Sequence, residues 1–368
     1  MHKKARVLIV DDAALIRRII ADALTAEPTI EVAGEAEDGR TALQRIAQVK
    51  PDLVTLDVEL PGMNGLETLR EIRKTHPRLP VIMFSAFTER GAADTLEALH
   101  NGASDYVTKP ATAGGKNAAR ERICQDLIPK IRALCRVGPG QQPGGAAAPP
   151  KPFSMRPLGT ATRADVVVMA VSTGGPAALT TILSALPATF PAPVLIVQHM
   201  PNMFTRLLAE RLDGQTPLSV VEATDGQRVR PGTVYVAPGD AHLLVQRRGG
   251  QIVTALGDGP LEHSRRPAAD VLFRSAADVY RSNALGLVLT GMGEDALQGS
   301  QQIASAGGRI VVQDEATSTV WEMPGRVVRA GLADAVLPIG DMAAELVRRT
   351  TQNGHREIGT AALHRGRN

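Results

Sequence analysis

An apolar run, Val166 to Val171, ends on Ser172 and passes directly into Thr173, Gly174, Gly175 and Pro176. Unbroken valine-rich sequence is what a strand covered on both faces looks like, and two glycines followed by proline mark a tight turn into a helix. Ser172 is therefore expected at a helix N-terminus, where unpaired backbone N–H groups and the helix dipole favour developing negative charge. That geometry suits an esterase, and phosphate-binding loops share it. A serine hydroxyl needs a base, and His199, His242 and His263 are the candidates, since His355 and His364 lie near the chain end. His199 follows the run Val194-Leu-Ile-Val-Gln, which sets it at the same sheet edge as Ser172 if the two strands are parallel neighbours; His242 in Pro238-Gly-Asp-Ala-His is the second choice. An acid to orient the imidazole is offered by Glu294 or Asp295 in Thr290-Gly-Met-Gly-Glu-Asp, and position in the loop does not choose between them.

A second group of chemically capable residues lies earlier in the chain. Asp11 and Asp12 follow one short apolar run, and Asp57 ends another. Ligands of open parallel sheets sit beyond the carboxyl ends of the strands, so the three carboxylates should converge there. Such a cluster calls for a cation, and an all-oxygen pocket suits Mg²⁺. Ser85 and Lys109, at two further strand ends, could hold a phosphoryl group placed on Asp57. Pro110 follows Lys109 and is a candidate cis residue.

The elements that must position these groups alternate strand and helix through both halves, a pattern of α/β domains with doubly wound parallel sheets. Predicted strands of the first half are 6–10, 30–36, 53–56, 81–84 and 106–107. In the second half they are 166–171, 194–197, 233–236, 285–289 and 309–312, with helices over 205–212, 268–281 and 341–349. Between Val137 and Arg163 the chain is rich in Pro, Gly, Ala and Gln, which reads as a linker. The expected organisation is a first domain over 1–136, a linker over 137–163, a second domain over 164–350 and a basic tail over 351–368. Arg348, Arg349, Arg356, Arg365 and Arg367 crowd that end.

The 368 residues suffice for two cores. With ten Phe, Tyr and Trp in all and a net charge of +3, base-stacking surfaces are scarce, and nucleic acid is not favoured as a partner. Cys124 and Cys135 have no histidine between them and fit no metal spacing, so reduced thiols are expected. No stretch of 18 apolar residues exists, which argues against membrane insertion and for the cytoplasm.

The segments Asp11-Asp12, Leu56-Asp57-Val58-Glu59-Leu60-Pro61-Gly62-Met63-Asn64-Gly65 and Asp105-Tyr106-Val107-Thr108-Lys109-Pro110 resemble the receiver domain of two-component response regulators. The resemblance implies a flavodoxin-like fold in which Asp57 accepts a phosphoryl group. It further implies that Asp11, Asp12, Asp57 and the Glu59 carbonyl hold Mg²⁺, and that Ser85, Tyr106 and Lys109 report phosphorylation. The segments Ala170-Val-Ser-Thr-Gly-Gly-Pro, Gln198-His-Met-Pro, Ser264-Arg-Arg-Pro-Ala-Ala-Asp-Val-Leu-Phe-Arg-Ser, Leu289-Thr-Gly-Met-Gly-Glu-Asp and Val320-Trp-Glu-Met-Pro resemble the catalytic domain of CheB-type chemotaxis methylesterases. That likeness implies a Rossmann-like domain with Ser172 as nucleophile, His199 as base and acid, and Asp295 orienting His199. Thr173 and Met292 would hold the oxyanion through main-chain donors. It implies hydrolysis of glutamate γ-methyl esters, and amide hydrolysis at glutamine, on chemoreceptors, under control of a CheA-type histidine kinase. Two positions depart from the family pattern: Ala296 and Glu322 stand where glycine is usual, and Ala296 would shift its loop if the backbone there needs positive φ.

Three other readings are weaker. A DNA-binding regulator would need a helix-turn-helix and a basic reading helix, which are not seen after residue 164. A dinucleotide-dependent oxidoreductase lacks G-x-G-x-x-G after the Ser172 strand. An idle adaptor would keep the serine and histidine only as structure.

Overall fold

A computed structural model describes residues 4–109, 115–138 and 163–351. Through the first half run β1 (Ala5–Val10), α1 (Ala14–Thr25), β2 (Ile30–Ala36), α2 (Gly39–Val49), β3 (Leu53–Asp57), α3 (Gly65–Thr75), β4 (Val81–Ser85), α4 (Glu89–His100), β5 (Asp105–Thr108) and α5 (Gly115–Cys135). The strands form one parallel sheet in the order β2-β1-β3-β4-β5. Helix starts are written locally: Asp38 accepts from the Thr41 amide, Thr88 from the Gly91 amide, and Asn64 with Glu67 closes a capping box. Apolar side chains of α1 and α5, such as Ile20, Leu24, Leu127 and Ile131, bury one sheet face against Ile9 and Phe84.

The second half contains β6 (Val166–Val171), α6 (Gly175–Ser184), β7 (Val194–Gln198), α7 (Asn202–Asp213), β8 (Ser219–Glu222), β9 (Thr233–Val236), β10 (His242–Arg248), β11 (Gln251–Gly257), α8 (Ala269–Tyr280), β12 (Ala284–Val288), α9 (Leu297–Ser305), β13 (Arg309–Gln313), α10 (Glu322–Arg329), β14 (Ala335–Leu337) and α11 (Met342–Thr351). Seven parallel strands follow the order β14-β13-β12-β6-β7-β9-β8. β10 and β11 form a separate antiparallel hairpin, which the strand pattern expected above does not include. The edge strands β8 and β14 are likewise additions to it. The central strands β6, β7 and β12 are buried along their whole length, as their unbroken apolar runs demand.

In each sheet the winding direction reverses beside the first strand, between β1 and β3 in one and between β6 and β12 in the other, and the carboxyl ends there open a crevice. The halves are packed together. A continuous buried apolar cluster includes Leu96, Leu99 and Tyr106 from the first half and Phe204 and Leu208 from α7. Pro110, most of the 137–163 segment and residues 352–368 lie outside the described residues. Arg348 and Arg349 lie in α11, where the helix expected over 341–349 has them, and pair with Glu345. Cys124 and Cys135 are both on α5 and unbridged. Among the described residues no helix is long and apolar enough to cross a membrane.

Candidate active site and phosphoacceptor pocket

Ser172, His199 and Asp295 leave the carboxyl ends of β6, β7 and β12, the three adjacent strands at the crevice. Ser172 is buried at the mouth of α6, with its amide donating to the Thr290 carbonyl at 3.0 Å. Gly174 takes the left-handed conformation, φ +79°, that turns the chain into α6, and a Cβ there would meet Thr319 Oγ1 at 2.3 Å. Gly291 approaches Ser172 so closely that a Cβ would lie 2.8 Å from the serine Cβ. The glycines of both loops therefore let backbone close around the hydroxyl.

His199 and Asp295 meet at 2.8 Å, Nε2 to Oδ2, both almost fully buried. An imidazole facing a carboxylate through Nε2 carries its proton there, which leaves the Nδ1 lone pair free, and Nδ1 finds no hydrogen-bond partner among the described residues. Burial pushes the His199 pKa below its usual value despite the hydrogen bond and charge of Asp295. Burial alone would raise Asp295; the His199 hydrogen bond and charge, with the Ala269 and Asp270 amides, hold it at about 2 instead. Those amides, N-terminal donors of α8 with no partner inside the helix, reach Asp295 Oδ2 at 2.7 Å and Oδ1 at 2.8 Å. The carboxylate is thus fixed by a helix start that sequence reasoning did not connect to it.

Of the two acids left open by the loop sequence, only Asp295 reaches His199. Glu294 is half exposed and turns to Arg326, 3.3 Å away. His242, the second candidate base, is a buried structural residue: Nε2 faces the Pro260 carbonyl at 3.0 Å and Nδ1 accepts from the Ala268 amide at 3.2 Å. Thr173 and Met292 line the same cavity of about 430 Å³ as Ser172 and His199. Gln198, not singled out in the sequence, donates to the Ser172 carbonyl at 3.0 Å and braces the turn. Ala296 does sit at positive φ, +76°, as N-cap of α9, and is fully buried. Glu322 opens α10 and pairs with Arg326 at 3.4 Å, so an acid there suits the helix start.

In the other crevice Asp11, Asp12 and Asp57 place carboxylate oxygens within 4.8 Å of one another. Lys109 Nζ lies 2.5 Å from Asp57 Oδ2 and 3.2 Å from Asp11 Oδ2. Burial, with Asp11 adding to it, lifts the Asp57 pKa to about 6 against the pull of Lys109. An acidic pocket of oxygen donors that resist joint ionisation has the chemistry of a hard divalent-cation site. The Glu59 amide donates to Asp57 Oδ1 at 3.2 Å, which brings its peptide to the same pocket. Ser85 lies fully buried at the end of β4, its hydroxyl donating to the Gly91 carbonyl at 2.8 Å.

The two crevices are linked by β5. Tyr106 leaves the first half and stacks on Phe204 of α7, ring centroids 4.6 Å apart. Its neighbour Asp105 accepts a 2.5 Å hydrogen bond from Thr173 Oγ1, the residue directly after Ser172. Lys130 of α5 bonds the Tyr106 carbonyl at 2.7 Å and pairs with Asp105 at 2.9 Å, while Glu89 of α4 pairs with Arg206 of α7. One wall of the cavity at Ser172 is therefore made by Asp105, Tyr106 and Lys130 of the first half. Phe204 was missed because an apolar residue on an amphipathic helix reads as core of its own domain.

Residues 7–116 match the response regulator receiver domain model and residues 167–346 the CheB methylesterase model. A protein of Trichodesmium erythraeum called protein-glutamate methylesterase/protein-glutamine glutaminase is 48% identical over 351 residues, 94% of this chain and 99% of its own. A protein of the same name from Nocardioides sp. is 47% identical over 365 residues, covering 97% and 99% of the two chains. The Thermotoga maritima CheB methylesterase catalytic domain superposes with a TM-score of 0.50 at 41% identity, over 51% of this chain and 99% of that one. With matches of this extent joined to the two crevices described above, the chain belongs to the CheB family of protein-glutamate methylesterases/protein-glutamine glutaminases.

Proposed function

We propose that this protein hydrolyses glutamate γ-methyl esters on chemoreceptors, releasing methanol, and deamidates glutamines there, as a cytoplasmic step of chemosensory adaptation controlled by phosphorylation. The observation that carries the reading is the 2.8 Å His199–Asp295 pair, whose imidazole lines the same cavity as Ser172. Ser172 Oγ attacks the γ-carbonyl carbon while His199 Nδ1 takes its proton. The departing alkoxide receives that proton and leaves as methanol, or ammonia leaves from an amide. Water, deprotonated by Nδ1, then opens the acyl-enzyme, and the proton returns to Ser172. Main-chain donors at Thr173 and Met292, beside the N-terminus of α6, stabilise the oxyanion. Asp295 keeps the imidazole in the required tautomer.

Control resides in the receiver, which we assign to residues 1–136, with a linker over 137–163, a methylesterase domain over 164–350 and a tail beyond. Asp57 accepts the phosphoryl group from a CheA-type histidine kinase. Asp11, Asp12, Asp57 and the Glu59 carbonyl would hold Mg²⁺, which neutralises charge on the incoming phosphoryl group when bound. Lys109 pairs with that group, and Ser85 and Tyr106 carry the change to the α4–β5–α5 face of the domain. Unphosphorylated, that face lies over the Ser172 cavity and keeps large substrates out; phosphorylation weakens the docking. A methanol-release assay on methylated receptor, with and without acetyl phosphate and Mg²⁺, tests both halves. Release should be stimulated by the phosphodonor and abolished by Ser172→Ala. Continued release by that variant would sink the hydrolytic reading, and removal of residues 1–160 without a rise in basal rate would sink inhibition by docking.

A further inference from the structure

Behind the His199–Asp295 pair lies a second imidazole, and its placement is costly enough to need a reason. Glu262 and Arg265 exchange both backbone hydrogen bonds, at 3.1 and 2.9 Å, which makes His263 and Ser264 a two-residue turn. Both turn residues are left-handed, with φ of +52° and +60°. Asn-Gly suits such a turn far better than His-Ser. Side chains hold it in place: Glu262 pairs with Arg274 of α8, and His263 Nε2 lies 2.8 Å from Asp270 Oδ2. Asp270 is fully buried in the first turn of α8, and its other oxygen takes the Gly299 amide of α9 at 2.6 Å. The amide of Asp270 is itself one of the donors that fix Asp295. Ligating atoms of His263, Asp270 and Asp295 all lie within 4.8 Å of one another.

Two buried carboxylates this close resist joint ionisation unless a cation stands beside them. We propose that His263 is a positioning residue for the hydrolytic site: its imidazolium offsets the Asp270 charge and ties that residue to the starts of α8 and α9, so that the Asp270 amide stays on Asp295 and keeps it aimed at His199. The inference rests on the hydrolytic reading above. The groups around His263 are Asp270 and Arg274 of α8, Glu294 (3.9 Å from Nδ1) and Asp295 after β12, and His199 after β7. Glu262 and Arg265 of its own hairpin complete them, with Arg326 of α10 held to Glu294. Burial disfavours charge on His263, but Asp270, Asp295 and Glu294 outweigh it and raise its pKa.

The test uses the full chain with His263→Gln, which keeps a donor near Nε2 without the charge, and His263→Ala, which removes both. Methanol release is measured from pH 5 to 9 with acetyl phosphate and Mg²⁺, and the His199 ring is titrated by NMR. Loss of a neighbouring positive charge should move His199 ionisation, and the acid limb of kcat, upward by about half a pH unit in both variants. His263→Ala should also lower the plateau kcat about tenfold at unchanged KM, with most of it restored in His263→Gln. An unshifted His199 titration in folded His263→Gln overturns the proposal even if no methanol is released. Absence of release by the unsubstituted chain instead indicts the hydrolytic reading.

Discussion

Replacing Tyr106 with alanine should switch the enzyme on without phosphorylation. Tyr106 is 7% exposed, and its ring lies stacked on Phe204 at 4.6 Å with an 18° interplanar angle. Aromatic pairing contributes about 0.5–1.5 kcal/mol beyond area burial, and burying a side chain of this size about 1.5–3 kcal/mol. Part of that burial is within the receiver, so the docked arrangement should lose roughly 2 kcal/mol, a shift of about 30-fold in the docking equilibrium. If docked molecules outnumber open ones by about 100 to 1, basal methanol release rises more than tenfold and the stimulation by acetyl phosphate shrinks correspondingly. The assay is methanol release from methylated receptor before and after addition of phosphodonor, with a thermal melt to verify that the receiver is still folded. A folded Tyr106→Ala protein with the original basal rate and full stimulation would refute the argument that this stack holds the cavity shut.

Other outcomes can be checked with the same protein. The Asp57 pKa of about 6 lies above its value of 3.8 in the unfolded chain, so the ionised carboxylate costs stability above pH 6. Asp57→Asn should therefore raise receiver stability by about 1–2 kcal/mol at pH 7.5, with the gain fading as pH falls from 6 to 4 in denaturant titrations. For the same reason millimolar Mg²⁺ should raise the receiver Tm at pH 8 and leave it unchanged at pH 4.5; an equal rise at both would place the ion elsewhere. Ala296→Gly should stabilise the methylesterase half by about 1 kcal/mol, since alanine at φ +76° carries a left-handed penalty that glycine avoids; a loss in the thermal melt would contradict it.

Residues at strand ends were the most legible part of this protein. A largely apolar strand run that ends at or just before Ser172, His199 or Asp57 declares both a buried strand and the crevice it opens into, and these positions came from the chain alone. What could not be read is what depends on elements distant in sequence. Glu294 and Asp295 share one loop, and only the start of α8, some 25 residues earlier, selects Asp295 by pointing two amides at it. The β10–β11 hairpin did carry a signal, two strand-like runs around Gly249-Gly250, but such a pair falls outside the strand–helix alternation that marks parallel units. β8 and β14, four and three residues long at the sheet edges, are too short for any periodicity to appear.

Beside the Thr173–Asp105 hydrogen bond and the Arg206–Glu89 pair, the contact between the halves rests on an apolar centre of Tyr106, Phe204 and their aliphatic neighbours. Attraction of that origin weakens as water is cooled, whereas ion pairing does not follow the same course. Cold should thus loosen the contact that walls the Ser172 cavity, and basal methanol release, relative to release with acetyl phosphate, should be higher at low temperature than at high.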